Sequence, residues 1–216
     1  MEWKDVTLFQ FQQYQNMIKK KDDHDTDLDL AIKTLAIMTN RTEVEIDSLM
    51  VKELNDQLKK IEFVAKHEPQ PKPVDVIKVG KKRYRCVYDI RNMPFARYIE
   101  SKYFGEDTLF NMHKIGASMV LPMKWTWRGW KVAKSDASKH EEYANDLLGA
   151  PYEQVYGSVV FFCQVFVNSI KDSKDYLIIK MIQMGIPIET AEQRVEDLVA
   201  SLDGFIKLRS SQNTKG

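Results

Sequence analysis

The 216-residue chain holds only two cysteines, nine glycines and seven prolines. Cys86 and Cys163 form no CxxC pair and no disulfide framework, which fits a reducing compartment better than a secreted one. So little Gly and Pro excludes a collagen-like or low-complexity chain, and a hydrophobic content of 44% excludes a disordered one. No apolar run reaches the roughly 20 residues that a membrane span needs. The strongest, Val159 to Val167, is short and contains Gln164. The opening residues Trp3, Lys4 and Asp5 lack the apolar core of a secretory leader. We therefore expect a soluble, intracellular chain without membrane contact.

Signatures of chemistry are scarce as well. The chain has no GxxxxGK[ST], GxGxxG, HExxH or GxSxG motif and no calcium-loop pattern. Its four histidines, at 24, 67, 113 and 140, are dispersed. His140 beside Glu141 and Glu142 comes nearest to a metal-binding group, but adjacent helical positions point apart, so it reads as a surface helix start. His113 has no carboxylate or nucleophile at helical spacing and reads as a packing or surface residue. Cys163 falls in the most apolar predicted helix and reads as an inert hydrophobe. Cys86 lies close to Arg83 and Arg85 but has no histidine partner in sequence. No catalytic, metal-ligating or cofactor-binding residue is assigned, and the chain is expected not to be an enzyme.

What is present is a pattern of charge and of helix signals. The net charge of +1 conceals −4 over residues 1–69, +9 over 70–134 and −4 over 135–216. A basic middle between acidic ends can be satisfied internally, between copies of the chain, or by an acidic partner. Thr7 with Gln10, Thr42 with Glu45 and Ser138 with Glu141 have the spacing of capping boxes, and Val6 with Phe11 that of a hydrophobic staple. Apolar residues recur at helical spacing along Leu8, Phe11, Tyr14 and Ile18, along Leu28, Ile32, Leu35 and Met38, and along Val51, Leu54, Leu58 and Ile61. Residues 1–66 thus read as a bundle of about four helices. Three prolines within 67–73 mark a semi-rigid linker.

Beyond the linker, Val74 to Val79 and Arg83 to Tyr88 flank a Gly80-Lys81-Lys82 break and predict a β-hairpin. Asn92 with Pro94 predicts a helix running to Gly105. Asp107 predicts the cap of another, striped by Leu109, Met112, Ile115 and Met119 and ended by Pro122. Trp125, Trp127 and Trp130 around Arg128-Gly129 predict a second hairpin packed on the helices. Pro151 opens a nearly all-apolar helix through Val155, Val159, Phe162, Phe166 and Ile170, expected to be the central core helix. Pro187 precedes a last amphipathic helix with Ile188, Val195, Leu198 and Leu202. The fold class is mainly α: a helical bundle at 1–66 and a larger helical domain at 74–206 with two short β-hairpins, followed by a polar tail at 207–216.

The candidate contact residues are Lys78, Lys81, Lys82, Arg83, Tyr84 and Arg85 of the first hairpin and Trp125, Trp127 and Trp130 of the second. Basic side chains track phosphates while aromatic rings stack on bases, the composition of a nucleic-acid surface. The same residues suit an acidic protein partner, and a hairpin tip carries lysines for solvation alone.

Three phrases in this order resemble tailed-bacteriophage morphogenesis proteins, in particular tail-assembly-chaperone-like and associated structural proteins. They are Val6-Thr-Leu-Phe-Gln-Phe-Gln-Gln-Tyr14, the stretch Met38-Thr-Asn-Arg-Thr-Glu-Val-Glu-Ile-Asp-Ser-Leu49, and Asp89-Ile-Arg-Asn-Met-Pro-Phe-Ala-Arg-Tyr98. The resemblance implies a non-enzymatic role in tail or particle assembly, in the virion or the host-cell cytoplasm. Its implied partners are other phage structural or tail proteins or further copies of the chain. The family supplies no catalytic residue to carry over. The alternative from another class is a nucleic-acid-associated protein using the basic hairpin 78–85.

Overall fold

A computed structural model describes residues 1–22, 24–66, 72–89, 108–134, 136–172 and 174–210. The chain is mainly helical with one small antiparallel sheet. Thr7 caps α1 (Leu8–Lys19) through the reciprocal bonds expected of Thr7 and Gln10. Gln10 does a second job, donating its side-chain amide to the carbonyls of Ile37 and Met38, where α2 (Asp27–Thr39) ends. A buried glutamine is tolerable only with such bonds. Thr26 and Asp29 cap α2 in the same reciprocal way, with aspartate in the place usually held by Glu or Gln. Thr42 and Glu45 cap the short α3 (Glu43–Asp47) as expected, and α4 (Val51–Ile61) with α5 (Phe63–Lys66) completes this segment. Leu28 departs from its predicted stripe. It is 54% exposed, while Leu35 and Met38 are buried.

The Asn92–Gly105 helix, the Asp107 cap and the 67–71 part of the linker lie outside the described residues. Beyond them α6 spans Met112–Met119, starting after a turn at Thr108–Asn111, and ends where Pro122 allows no continuation. The chain then enters a strand directly. The expected Ser138–Glu141 capping box does not form. Ser138 instead bonds Asp136 with both its amide and its hydroxyl, holding a 3-10 turn, and α7 (His140–Leu148) begins with no side-chain cap.

Helix α8 (Tyr152–Asp172) is the central element expected from its apolar circumference. Val155, Val159, Phe162, Cys163, Phe166 and Val167 are all buried. Burial pushes the Cys163 thiol up to about 12, the behaviour of an inert core cysteine. Two further helices, α9 (Lys174–Gln183) and α10 (Ile188–Ser210), close over it through Ile178, Ala191 and Val195.

The N-terminal segment shares this core. Leu8 donates its amide to the Ala150 carbonyl and Tyr152 donates to Val6, while Phe11 stacks on Tyr152 with ring centroids 3.7 Å apart. Trp3 meets both rings. Gln12 reaches across to the Phe110 carbonyl and to Nδ1 of His113 at 3.2 Å. Burial first, then the Lys114 charge, pushes the His113 pKa below its ordinary value. The folded state therefore holds this ring neutral, and its Nδ1 accepts from the Gln12 amide only in that form. Stability should fall as pH drops below the ordinary histidine value of about 6.5, because the unfolded chain takes up a proton the folded one resists. Chemical denaturation from pH 7.5 to 5 should show this slope, at most about 1.4 kcal/mol per pH unit for one proton. His113→Gln should flatten it; an unchanged slope would assign it elsewhere.

Candidate interaction surface

The two hairpins do not sit apart on the helices. They join into one four-stranded antiparallel sheet of order β1 (Val76–Val79), β2 (Lys82–Cys86), β3 (Val120–Thr126) and β4 (Gly129–Val132). The turns suit their residues: Gly80 and Gly129 have φ of 53° and 95°, a left-handed region that costs glycine little.

Register divides the candidate residues between two faces. Ile77 pairs with Tyr84, Tyr84 with Pro122, and Cys86 with Val120, and this side is buried against the helices. Lys82 belongs to the same side. Its ammonium lies 2.6 Å from Asp146 and 3.6 Å from Glu142 of α7. The Tyr84 hydroxyl donates to the same Asp146 carboxylate, and burial together with that carboxylate holds the phenol protonated. Cys86 also faces inward, with its thiol raised chiefly by burial, so its neighbouring arginines do not make it reactive.

The opposite face carries Lys78 paired with Arg83, then Arg83 with Met123, Met123 with Val132, and Trp125 with Trp130. Arg85 shares this side and lies 3.6 Å from Asp75. The Arg83 guanidinium sits over the Trp130 ring at 4.7 Å, and Trp130 meets Trp125 edge to face. At the hairpin tip Trp127 is 85% exposed beneath Arg128, and Trp125 is 68% exposed. Lys78, Lys81 and Arg83 have no ion-pair partner among the described residues. Residues 76–86 and 120–132 hold five and three Lys or Arg respectively, and no Asp or Glu.

Other candidates place differently. His140 is no simple surface residue: its Nε2 lies 3.1 Å from Ser118 Oγ and from the Lys114 carbonyl. Ser118 is wholly buried, so this pair ties α6 to α7 and offers no accessible nucleophile. Among the described residues no cluster of three or more His, Cys, Asp or Glu side chains is placed to hold a metal ion. No described helix is long and apolar enough to cross a membrane. Other apolar residues stand exposed as well, among them Val51, which departs from its predicted stripe. Tyr176, Ile179 and Ile182 lie along the outer side of α9, and Val44, Met50 and Val51 lie at the α3–α4 corner, each of these three at least 75% exposed. No protein-family model, curated protein or solved structure matches the chain.

Proposed function

We propose that this chain is a non-enzymatic assembly or structural protein of a tailed bacteriophage, acting through protein contacts in the virion or the host cytoplasm. The observation that carries this reading is the outer sheet face. Two indoles stand in solvent beside Lys78, Lys81 and Arg83, cations that no described carboxylate neutralises. Exposed tryptophan is a costly surface residue, and aromatics with arginine are the usual anchors of protein interfaces. The phage assignment itself rests on the three sequence phrases. Quantitative mass spectrometry of purified particles against infected-cell lysate tests it. Stoichiometric recovery in particles identifies a virion component, and abundance in lysate alone identifies a chaperone that leaves. Absence of any particle overturns the phage reading.

The faces of the sheet sharpen the mutational test. Lys78→Glu with Arg83→Glu should weaken partner association at least about tenfold and leave the melting temperature nearly unchanged, since both side chains point away from the core. Lys82→Glu should act the other way, leaving the docking face intact while setting a third carboxylate beside Asp146 and Glu142. That half-exposed site makes the expected loss about 1 kcal/mol. Pull-down and thermal melting of the two variants separate the roles. Equal loss of association in both would mean that the faces are not distinct in function.

A second reading has an observation of its own. Arg83 over Trp130 and Arg128 over Trp127 are the stacked cation–aromatic pairs that carry single-stranded nucleic acid. It requires that affinity for a single-stranded oligonucleotide fall steeply with salt. Affinity indifferent to salt would remove it.

A further inference from the structure

We infer that the free end of the sheet docks on an anionic lipid surface, with the Trp127 tip set into the interface and cations of both sheet faces at the headgroup phosphates. The inference goes beyond the protein-contact reading and does not depend on it.

Register fixes how far each side chain reaches. Val79 pairs with Lys82, Arg83 with Met123 and Thr126 with Gly129, so the turns of both hairpins lie at the same end of the sheet. The pairing of β2 with β3 puts Lys82 level with Lys124. Beyond that level β3 and β4 run on as a two-stranded ribbon through the Trp125–Trp130 pair to the turn at Trp127 and Arg128. From Lys124 to Trp127 the ribbon projects three strand residues, about 10 Å. Interfacial elements bury about 5–10 Å into the boundary between headgroups and acyl chains, which matches this projection. Trp127, at its tip, is 85% exposed.

Behind the indoles a collar of cations passes round both faces of the sheet. Lys124 and Lys131 pair with each other on the side of Tyr84 and Pro122, at its exposed end. Lys78 and Arg83 pair on the opposite side. All four stand one or two residues, about 3–7 Å, behind Trp125 and Trp130. Lys81 fills the neighbouring turn. The carboxylates nearest this end have other duties: Asp146 and Glu142 hold Lys82, and Asp136 accepts from Ser138. Lys124 and Lys131 have no ion-pair partner among the described residues.

This distribution decides the kind of partner. A protein docked on the outer face reaches Lys78 and Arg83 and leaves Lys124 and Lys131 unused. A single nucleic-acid strand likewise tracks one face of the ribbon. A bilayer is anionic in every lateral direction, so it meets the cations of both faces at once, and its interface is where tryptophan concentrates. No described helix crosses a membrane, and attachment through an interfacial element requires no span.

Co-sedimentation of the nuclease-treated full chain with vesicles tests the inference. One set is phosphatidylcholine alone and the other an equal mixture of phosphatidylcholine and phosphatidylglycerol, each at about 50 mM and about 500 mM salt. The chain should sediment with the mixed vesicles at low salt, release at high salt, and bind the neutral vesicles at least about tenfold more weakly. Tryptophan emission should shift to the blue on binding, and bromine high on the acyl chains should quench it more than bromine near their ends. Trp127→Asp should abolish binding. Lys124→Gln with Lys131→Gln should weaken it about 25-fold, at about fivefold for each basic residue, and should serve as the test if the Trp127 variant fails to fold by circular dichroism. Lys78→Glu with Arg83→Glu should weaken it as well. No sedimentation with mixed vesicles at low salt, or binding unchanged in Trp127→Asp, would overturn the inference. Loss confined to the Lys78 and Arg83 variant would put the contact on one face and overturn it too. Binding of an oligonucleotide without binding of vesicles would do the same. Pull-down and particle fractionation involve no vesicles, so failure here leaves the protein-contact reading standing.

Discussion

Gly157→Ala should destabilise the protein by about 3 kcal/mol, although alanine is the better helix former by roughly 1 kcal/mol. Gly157 lies within α8, where the chain at Lys72 crosses the helix. A Cβ at this position would collide with the Lys72 carbonyl oxygen and stand 2.7 Å from its carbonyl carbon and amide nitrogen. These are backbone atoms and cannot swing aside as a side-chain tip would. The crossing is fastened at the next residue. Ser158 Oγ accepts from the Val74 amide and lies 3.0 Å from the Tyr88 hydroxyl, which donates to the Val74 carbonyl at 2.7 Å. Displacing Lys72 therefore disturbs the entry to β1 and with it the basic sheet. Urea denaturation should report the loss, and hydrogen exchange should place it first in residues 72–88. A neutral or stabilising Gly157→Ala would mean that the crossing is looser than described.

Phe11→Ala should be the larger of the two, at about 4 kcal/mol. The ring is 6% exposed, and its removal leaves a cavity between Trp3 and Tyr152 in addition to forfeiting the stack. Its consequence reaches beyond magnitude, because Phe11 joins the N-terminal helices to the central helix. Loss of cooperativity, with protection in residues 8–61 falling before that of 152–172, would show a bundle held on mainly by this contact. One sharp transition at lower denaturant would show that the two segments unfold as a unit. A destabilisation below about 1 kcal/mol would contradict the packing itself.

Much of this architecture was legible because local chemistry decides it. Thr7 and Thr42 signalled helix starts through bonds made within four residues, and the all-apolar circumference of 155–167 could only be buried. Thr26 with Asp29 carries a weaker mark in sequence, because the box is ordinarily written with Glu or Gln at its third position. Ser138 misled for the converse reason: the spacing to Glu141 was right, but Asp136 lay closer to its hydroxyl. The union of the two hairpins was not legible, since alternation marks a strand without naming its neighbour, and β2 meets β3 across more than thirty residues. The inward turn of Lys82 did have a signal. It shares a strand face with Tyr84 and Cys86, so period-two counting separates it from Arg83 and Arg85.

The bonds that tie Val6 and Leu8 to Tyr152 and Ala150 impose an order on biosynthesis. The first helix leaves the ribosome well before its docking site exists. At about 5–20 residues per second, several seconds to half a minute pass before residue 152 is made. Throughout that interval Val6, Leu8 and Phe11, all buried in the finished protein, have only each other and the neighbouring helices for cover. A nascent chain in that state is a natural client for chaperones. Messages truncated before residue 150 should yield insoluble product, whereas those reaching the end of the central helix already hold both sides of the joint.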